Sequence, residues 1–214
     1  MIHHSAKPIT HDHDGWTAMH CAARGGHLDV IKFFNDYPDS QHKRNDQGRT
    51  PLHVAVEYNQ LEVLKYLMQY STHPNAPGYD GQTTTMGIAA SEGHVEIVKF
   101  LANHIAGAPN EPDKDGWTPL HDAAFSGQLE TIKVLLNYID NPNIQTNAGQ
   151  TPIDLACENM QNCGCKKERK IYKKIIKLLK NHGNNASSSN NRGQKRALSY
   201  LDSDNIISGK RRRT

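Results

Sequence analysis

Residues 14–34, DGWTAMHCAARGGHLDVIKFF, have a close copy at residues 115–136, DGWTPLHDAAFSGQLETIKVLL. When the chain is aligned on the threonine of this motif, five copies appear, beginning at Thr17, Thr50, Thr84, Thr118 and Thr151. The intervals between them are 33, 34, 34 and 33 residues. A fixed period of this length indicates an array of stacked units, because one such unit cannot bury its apolar face alone.

Each unit is predicted to fold as a hairpin followed by two helices. A threonine oxygen accepts the free backbone N–H groups of a helix's first turn, and a proline directly after it, as at Pro51, loses no needed donor. Glycines such as Gly26 and Gly127 supply the turn into a second helix, whose apolar residues recur at helical spacing. An Asp-Gly pair before three of the threonines is a strong hairpin signal.

The core motif TPLHxA is present at residues 50–55 and 118–123, with looser matches in the other units. This pattern resembles the ankyrin repeat over about residues 12–181. The resemblance implies an all-α-rich repeat solenoid, with a hairpin and two antiparallel helices per unit. We expect a flexible N-terminus (1–11), an array over 12–182 and a disordered basic tail over 183–214. The repeats are expected at about 12–44, 45–78, 79–112, 113–145 and 146–182.

Two units depart from the motif. The third, DGQTTTMGIAA, has an extra residue, Thr85 in place of proline and Gly87 in place of histidine, so an irregular and weaker hairpin is expected there. The fifth carries about eleven extra residues near 159–170, which are expected to form a loop. A final helix over roughly 168–181 follows, as a polar cap that keeps the array's end in water or as a basic contact surface.

The charge is divided unevenly along the chain. Residues 1–165 contain 10 Lys+Arg and 19 Asp+Glu, a net charge of −9, whereas residues 166–214 contain 15 and 3, a net charge of +12. Such asymmetry indicates separate partners for the two parts, or a contact between them.

The sequence contains none of the phosphate-binding, metalloprotease, nucleophile-elbow or kinase motifs that would indicate catalysis, and a non-enzymatic protein without a cofactor is predicted. No stretch approaches the ~20 apolar residues of a membrane span, and no export signal is visible, so a soluble protein is expected. The four cysteines suit a reducing compartment. Cys157, Cys163, Cys165 and His182 are the nearest approach to a zinc set, but their spacing matches no standard pattern, and free thiols are favoured.

The resemblance also implies which residues contact a partner. In the ankyrin family these are the variable positions at the hairpin tip and on the exposed side of the first helix. The corresponding positions here are Trp16, Arg24, Arg49, Tyr58, Gln82, Glu92, Trp117, Phe125 and Gln150. Aromatic residues and arginine dominate interface hot spots, although a tryptophan at this position also packs over its own hairpin.

The tail carries two basic clusters, Lys195 with Arg196 and, further on, Lys210, Arg211, Arg212 and Arg213. Such clusters are typical of nuclear import signals or nucleic-acid contacts, and a plain solvated tail is the third interpretation. A nuclear or cytoplasmic location, and recognition of the tail by an import receptor, are therefore expected.

The sequence thus predicts a monomeric, non-enzymatic protein-interaction module, an adaptor or inhibitor-type regulator that binds a protein partner through its concave surface. Because the array is acidic, a partner with a basic patch is expected. Two alternatives stay open: a nucleic-acid or chromatin-associated regulator anchored by the tail, and a host-directed effector of a virus or intracellular bacterium.

Overall fold

A computed structural model describes residues 11–35, 42–78, 83–139 and 141–186. These residues form ten α-helices, one 3₁₀ turn and no strand, so the predicted all-α solenoid is confirmed. The first helices of the five units are α1 (Ala18–Gly25), α3 (Pro51–Glu57), α5 (Thr85–Ser91), α7 (Pro119–Phe125) and α9 (Pro152–Asn162). The second helices are α2 (Leu28–Asn35), α4 (Leu61–Met68), α6 (Val95–His104), α8 (Leu129–Leu135) and α10 (Lys166–Ala186).

The threonines begin the first helices as predicted, and in three of the five repeats a histidine three residues later is the partner. The backbone N–H of Thr17 donates to Nδ1 of His20 at 3.1 Å. Because Nδ1 accepts, the proton of the neutral ring is on Nε2, which lies 2.9 Å from the carbonyl oxygen of Arg49 in the next hairpin. The same arrangement recurs at His53 and His121. One histidine therefore caps its own helix and holds the following repeat.

The turn into the second helix needs a left-handed backbone. Gly26, Gly93 and Gly127 have φ of 72°, 75° and 74°, a region that glycine enters without steric cost. In the second repeat this position is Asn59, with φ 58°. Asparagine is among the residues that tolerate this conformation, which explains how the unit dispenses with glycine.

The first helices pack side by side along the array, and the second helices form a layer behind them. Buried side chains from both layers form one continuous core, from Met19 and Ile31 in the first repeat to Ile175 and Leu179 in the last. Alanines at the middle of the first helices, such as Ala23, Ala55 and Ala89, are fully buried and permit close approach.

The loop predicted for the fifth repeat is wrong, because the extra residues are helical. They lengthen α9 to Asn162 and start α10 at Lys166, leaving only Cys163, Gly164 and Cys165 between the helices. The segment 166–170, KKERK, consists of good helix formers without glycine or proline, so the helix extends through it. At its other end α10 continues to Ala186, so the tail expected from residue 183 begins inside this helix.

The hairpin of the third repeat, at residues 79–82, and the tail from residue 187 lie outside the described residues. Within the described part, no helix combines the length and apolar character that a bilayer crossing requires.

Candidate functional site

The exposed side of the first helices and their hairpins, which we call the first-helix face, carries a repeated side-chain contact. In three repeats the residue before the capping threonine contacts the residue eight positions later. Arg49 forms an ion pair with Glu57. Trp117 lies edge-on to Phe125, with ring centroids 5.4 Å apart and an interplanar angle of 71°. The amide Nε2 of Gln150 lies 3.4 Å from Oε2 of Glu158.

These contacts fix the positions of predicted partner-binding residues before any partner arrives. Phe125 is 47% exposed while one edge is held by Trp117. A rigid, exposed aromatic loses little conformational entropy on binding, which makes it a good interface anchor. Gln150 and Arg49 are half-buried and already paired within the protein.

A second cluster lies on the first two repeats. The guanidinium of Arg24 lies over the ring of Tyr58, 4.9 Å from its centroid. Tyr58 is 38% exposed, and Arg24 is exposed. This cation–π contact brings together two predicted residues from different repeats.

Other predicted residues have different surroundings. Trp16 is partly buried and packs against the hydrophobic core, with its ring centroid 5.8 Å from that of His20. Its position therefore also supports the fold, the alternative that the sequence left open. Glu92 is exposed at the end of α5. Gln82 lies outside the described residues, as do the tail residues Lys195, Arg196, Lys210, Arg211, Arg212 and Arg213.

Sequence reasoning missed a coupled pair, Gly87 and Asp122. A side chain at Gly87 has no room, because a Cβ there would lie 2.6 Å from Oδ2 of Asp122 in the next repeat. Asp122 thus occupies space that a side chain at residue 87 would need. The corresponding positions in the other repeats are Cys21, Val54, Ile88 and Leu155. A single carboxylate in this row, next to the repeat that has glycine in place of histidine, was the available signal.

The environment of Asp122 disfavours its charged form. Burial, with a smaller contribution from the negative charge of Asp113, raises the pKa of Asp122 to about 7. Burial also raises the pKa of Asp113, whose carboxylate accepts the backbone N–H groups of Asp115 and Trp117. Near neutral pH the carboxyl group of Asp122 is therefore only partly ionised.

The residues of the candidate zinc set are not brought together. Among the described residues, no group of three or more His, Cys, Asp or Glu side chains is arranged to hold a metal ion. Cys165 precedes α10, whereas His182 is near its other end, about 25 Å away at 1.5 Å per residue. All four cysteines are free thiols.

Comparison with known proteins gives a family and several partial relatives. The probable 26S proteasome regulatory subunit p28 of Saccharomyces cerevisiae is 34% identical over 114 residues, 52% of this chain and 50% of that protein. The human transient receptor potential cation channel subfamily A member 1 is 30% identical over 166 residues, 72% of this chain and 15% of the channel. Human BCL-6 corepressor-like protein 1 is 34% identical over 104 residues, 49% of this chain and 6% of that protein.

The chain thus spans half or less of the length of these relatives. A family model described as ankyrin repeats (three copies) matches residues 1–78 and 72–146, which is more than half of the sequence. With five stacked pairs of helices among the described residues, the chain belongs to the ankyrin-repeat family.

Proposed function

We propose that this protein is a non-enzymatic adaptor or inhibitor-type regulator that grasps another protein with its first-helix face. The observation that carries this proposal is the pair of exposed aromatics, Tyr58 and Phe125, each held by a neighbouring side chain. Ankyrin repeats act as protein-interaction modules, and the yeast p28 relative is named as a regulatory subunit of a larger assembly.

The charge of the array favours a basic partner. Residues 1–165 carry a net charge of −9. This charge accelerates association with a positively charged surface, and the attraction weakens as salt is added. The two aromatic clusters provide apolar contact within this acidic surface, as at the centre of specific interfaces.

The test is partner capture by crosslinking in intact eukaryotic cells, identification by mass spectrometry, and titration of the captured partner against purified variants. The double variant Tyr58→Ala/Phe125→Ala is expected to weaken binding by at least about tenfold, since aromatic hot spots contribute roughly 2 kcal/mol or more each. The matched control is Phe33→Ala/Tyr70→Ala, which removes the same two residue types, 61% and 39% exposed, from α2 and from the turn after α4.

Equal affinity of the two double variants would contradict the proposal, provided that both keep the wild-type circular dichroism spectrum. Loss of the spectrum in the Tyr58→Ala/Phe125→Ala variant would assign a structural role to these aromatics instead. A third variant, Phe125→Leu, then separates a contact role from a structural role, because it keeps an apolar side chain that supports the fold but removes the aromatic ring that would contact the partner.

For the tail, we propose a role as a nuclear address read by an import receptor. The support is the sequence of its two basic clusters, Lys195–Arg196 and residues 210–213. A fluorescent fusion of the full chain should accumulate in the nucleus, and one ending at residue 191 should not. An unchanged distribution would remove this proposal, and capture of chromatin by the full chain alone would favour the nucleic-acid alternative.

A further inference from the structure

One side of α10 is lined by lysines along most of its length. Lys166, Lys170, Lys173, Lys177 and Lys180 follow one another at intervals of four, three, four and three residues, and all are exposed. At 100° per residue they fall within an arc of about 80° and extend over about 21 Å. The buried residues Ile175 and Leu179 are on the opposite side of the helix. We call this row of five residues the lysine stripe.

The lysines of α4, α6 and α8 are paired with glutamates, whereas those of the stripe form no ion pair among the described residues. Lys65, Lys99 and Lys133 each contact a glutamate three residues earlier, at 2.7, 2.7 and 2.6 Å. When Ile175 and Leu179 are aligned with the buried Val63 and Leu67 of α4, Lys177 takes the lysine position, but Lys174 takes the glutamate position. Within the described residues, no stripe lysine forms an ion pair with a carboxylate.

The stripe borders an apolar depression. Met160 of α9 and Ile176 of α10 line a shallow cavity of about 320 Å³, with Lys173, Lys177 and Lys180 around it. Both apolar side chains are half-buried in the chain alone. This end of the array therefore combines an apolar floor with three lysines that have no carboxylate partner in the part of the chain that the structure describes.

We propose that the lysine stripe is a second interaction surface, which binds an acidic protein segment that places an apolar side chain in the Met160–Ile176 depression. An acidic segment with carboxylates at helical spacing matches the intervals between the lysines. Its apolar residue would cover Met160 and Ile176 and exclude water from them. This surface is separate from the first-helix face. It binds an acidic partner, whereas the first-helix face is proposed to bind a basic one.

The composition of the stripe favours a peptide over a nucleic acid. No aromatic side chain is part of it, and the nearby hydroxyl of Tyr172 donates to the carbonyl oxygen of Phe125 at 2.8 Å. Single-stranded nucleic acids bind through aromatic stacking platforms, and phosphates are read bidentately by arginine. A phosphate backbone also has no group that would fill the apolar floor.

The test uses the full chain and a fluorescein-labelled peptide of Leu-Glu-Glu repeats, followed by fluorescence anisotropy at physiological ionic strength. The stripe variant Lys173→Gln/Lys177→Gln/Lys180→Gln is compared with the control Lys65→Gln/Lys99→Gln/Lys133→Gln, which removes the same number of positive charges from the other second helices. The stripe variant should weaken binding roughly tenfold, since three exposed ion pairs contribute about 0.2–1 kcal/mol each, and the control less than about twofold.

Met160→Gln tests the apolar floor and should weaken peptide binding roughly threefold, about the effect of exposing one methylene. A Leu-Gln-Gln peptide should not bind. Equal loss in the two triple variants would show attraction by net charge alone and overturn the proposal, as would absence of saturable binding by the acidic peptide. The acidic peptide could fail to bind while duplex DNA or phosphatidylserine vesicles bind the wild-type protein and not the stripe variant. That result would assign the surface to nucleic acid or to membranes instead. None of these readouts depends on Tyr58 or Phe125, so the first-helix proposal stands or falls separately.

Discussion

At the scale of single residues, Asp122 makes stability depend on pH. Its pKa is about 7 in the folded protein and 3.8 in a model peptide, so the folded state binds a proton that the unfolded state has lost between these values. Stability contributed by this residue is therefore lost as pH rises from about 4 to about 7. Asp122→Asn removes this loss, and it should raise the free energy of unfolding at pH 8 by roughly 1–3 kcal/mol and leave it nearly unchanged at pH 4.

Urea titrations at several pH values measure this difference. Asp154→Asn is a control of opposite sign, because the hydrogen bonds from Thr151 hold the pKa of Asp154 below its usual range. That variant should lose stability at neutral pH, and the difference should close as pH falls through the lowered pKa. A pH-independent effect of Asp122→Asn would show that the carboxyl is solvated.

Gly87 gives a second prediction at this scale. The Cβ of Gly87→Ala would lie 2.6 Å from Oδ2 of Asp122 and 3.1 Å from Cγ2 of Thr83, so the variant should lose about 1–2 kcal/mol. Gly87→Ala/Asp122→Ala should lose less than the sum of the two single changes, because the main clash is gone. Gly164→Ala, which meets no atom within 4 Å, is the matched control in urea unfolding. Strict additivity would show that the two residues do not interact.

At the scale of elements, a hydrogen bond of Tyr172 adds to the packing that holds α10 on the fourth repeat. Tyr172 donates its hydroxyl to the carbonyl oxygen of Phe125 and packs over Gly127, 3.3 Å from an added Cβ. Tyr172→Phe keeps the ring and removes the donor, and a loss of about 1 kcal/mol is expected. Hydrogen exchange should accelerate in α10 and at the end of α7; an unchanged pattern would mean that packing alone positions the helix.

The helices and their turns show which features of the fold could be predicted from the sequence and which could not. Threonine caps and glycine turns depend on neighbours a few residues away, and both were predicted correctly from the sequence. The helical insertion at 159–170 is not evident from the repeat period, in which it shows only as excess length, although the residues KKERK favour a helix. The fit between Gly87 and Asp122 depends on residues 35 positions apart, which the motif does not relate.

At the scale of the whole molecule, α10 closes the exposed end of the core. A chain ending at Gly164 would uncover the surfaces of α8 and α9 on which Ile175 and Leu179 pack, since these residues belong to the common core. Each buried aliphatic side chain contributes about 1.5–3 kcal/mol. Such a chain should lose helicity in its last two repeats and aggregate, whereas a chain ending at Ala186 should unfold like the full protein. Circular dichroism and light scattering distinguish these outcomes, and equal behaviour would show that the array is stable without this cap.

The residues predicted to contact a partner show how far the repeat pattern predicts the surface of the whole array. The repeat register alone placed Phe125 and Tyr58 on the first-helix face, where both are exposed. It did not show that Trp16 packs on the core or that Arg49 is paired with Glu57, because these depend on side-chain conformations that a motif does not encode.

Two kinds of side-chain hydrogen bond recur between neighbouring repeats. Histidines reach forward to the next hairpin, and Gln60, His94, Gln128 and Asn159 reach back to the end of the preceding first helix. Between the third and fourth repeats the forward histidine bond is missing because residue 87 is glycine, while the backward bond from Gln128 to the carbonyl oxygen of Ser91 remains. Tyr138 also donates its hydroxyl to Oδ1 of Asn103 at this junction. The curvature of a solenoid is the sum of small rotations at each junction. At this junction the carboxyl group of Asp122 lies against the bare backbone of Gly87 where the other junctions have a histidine bridge, so the rotation here depends on the fit of one side chain instead of on a hydrogen bond.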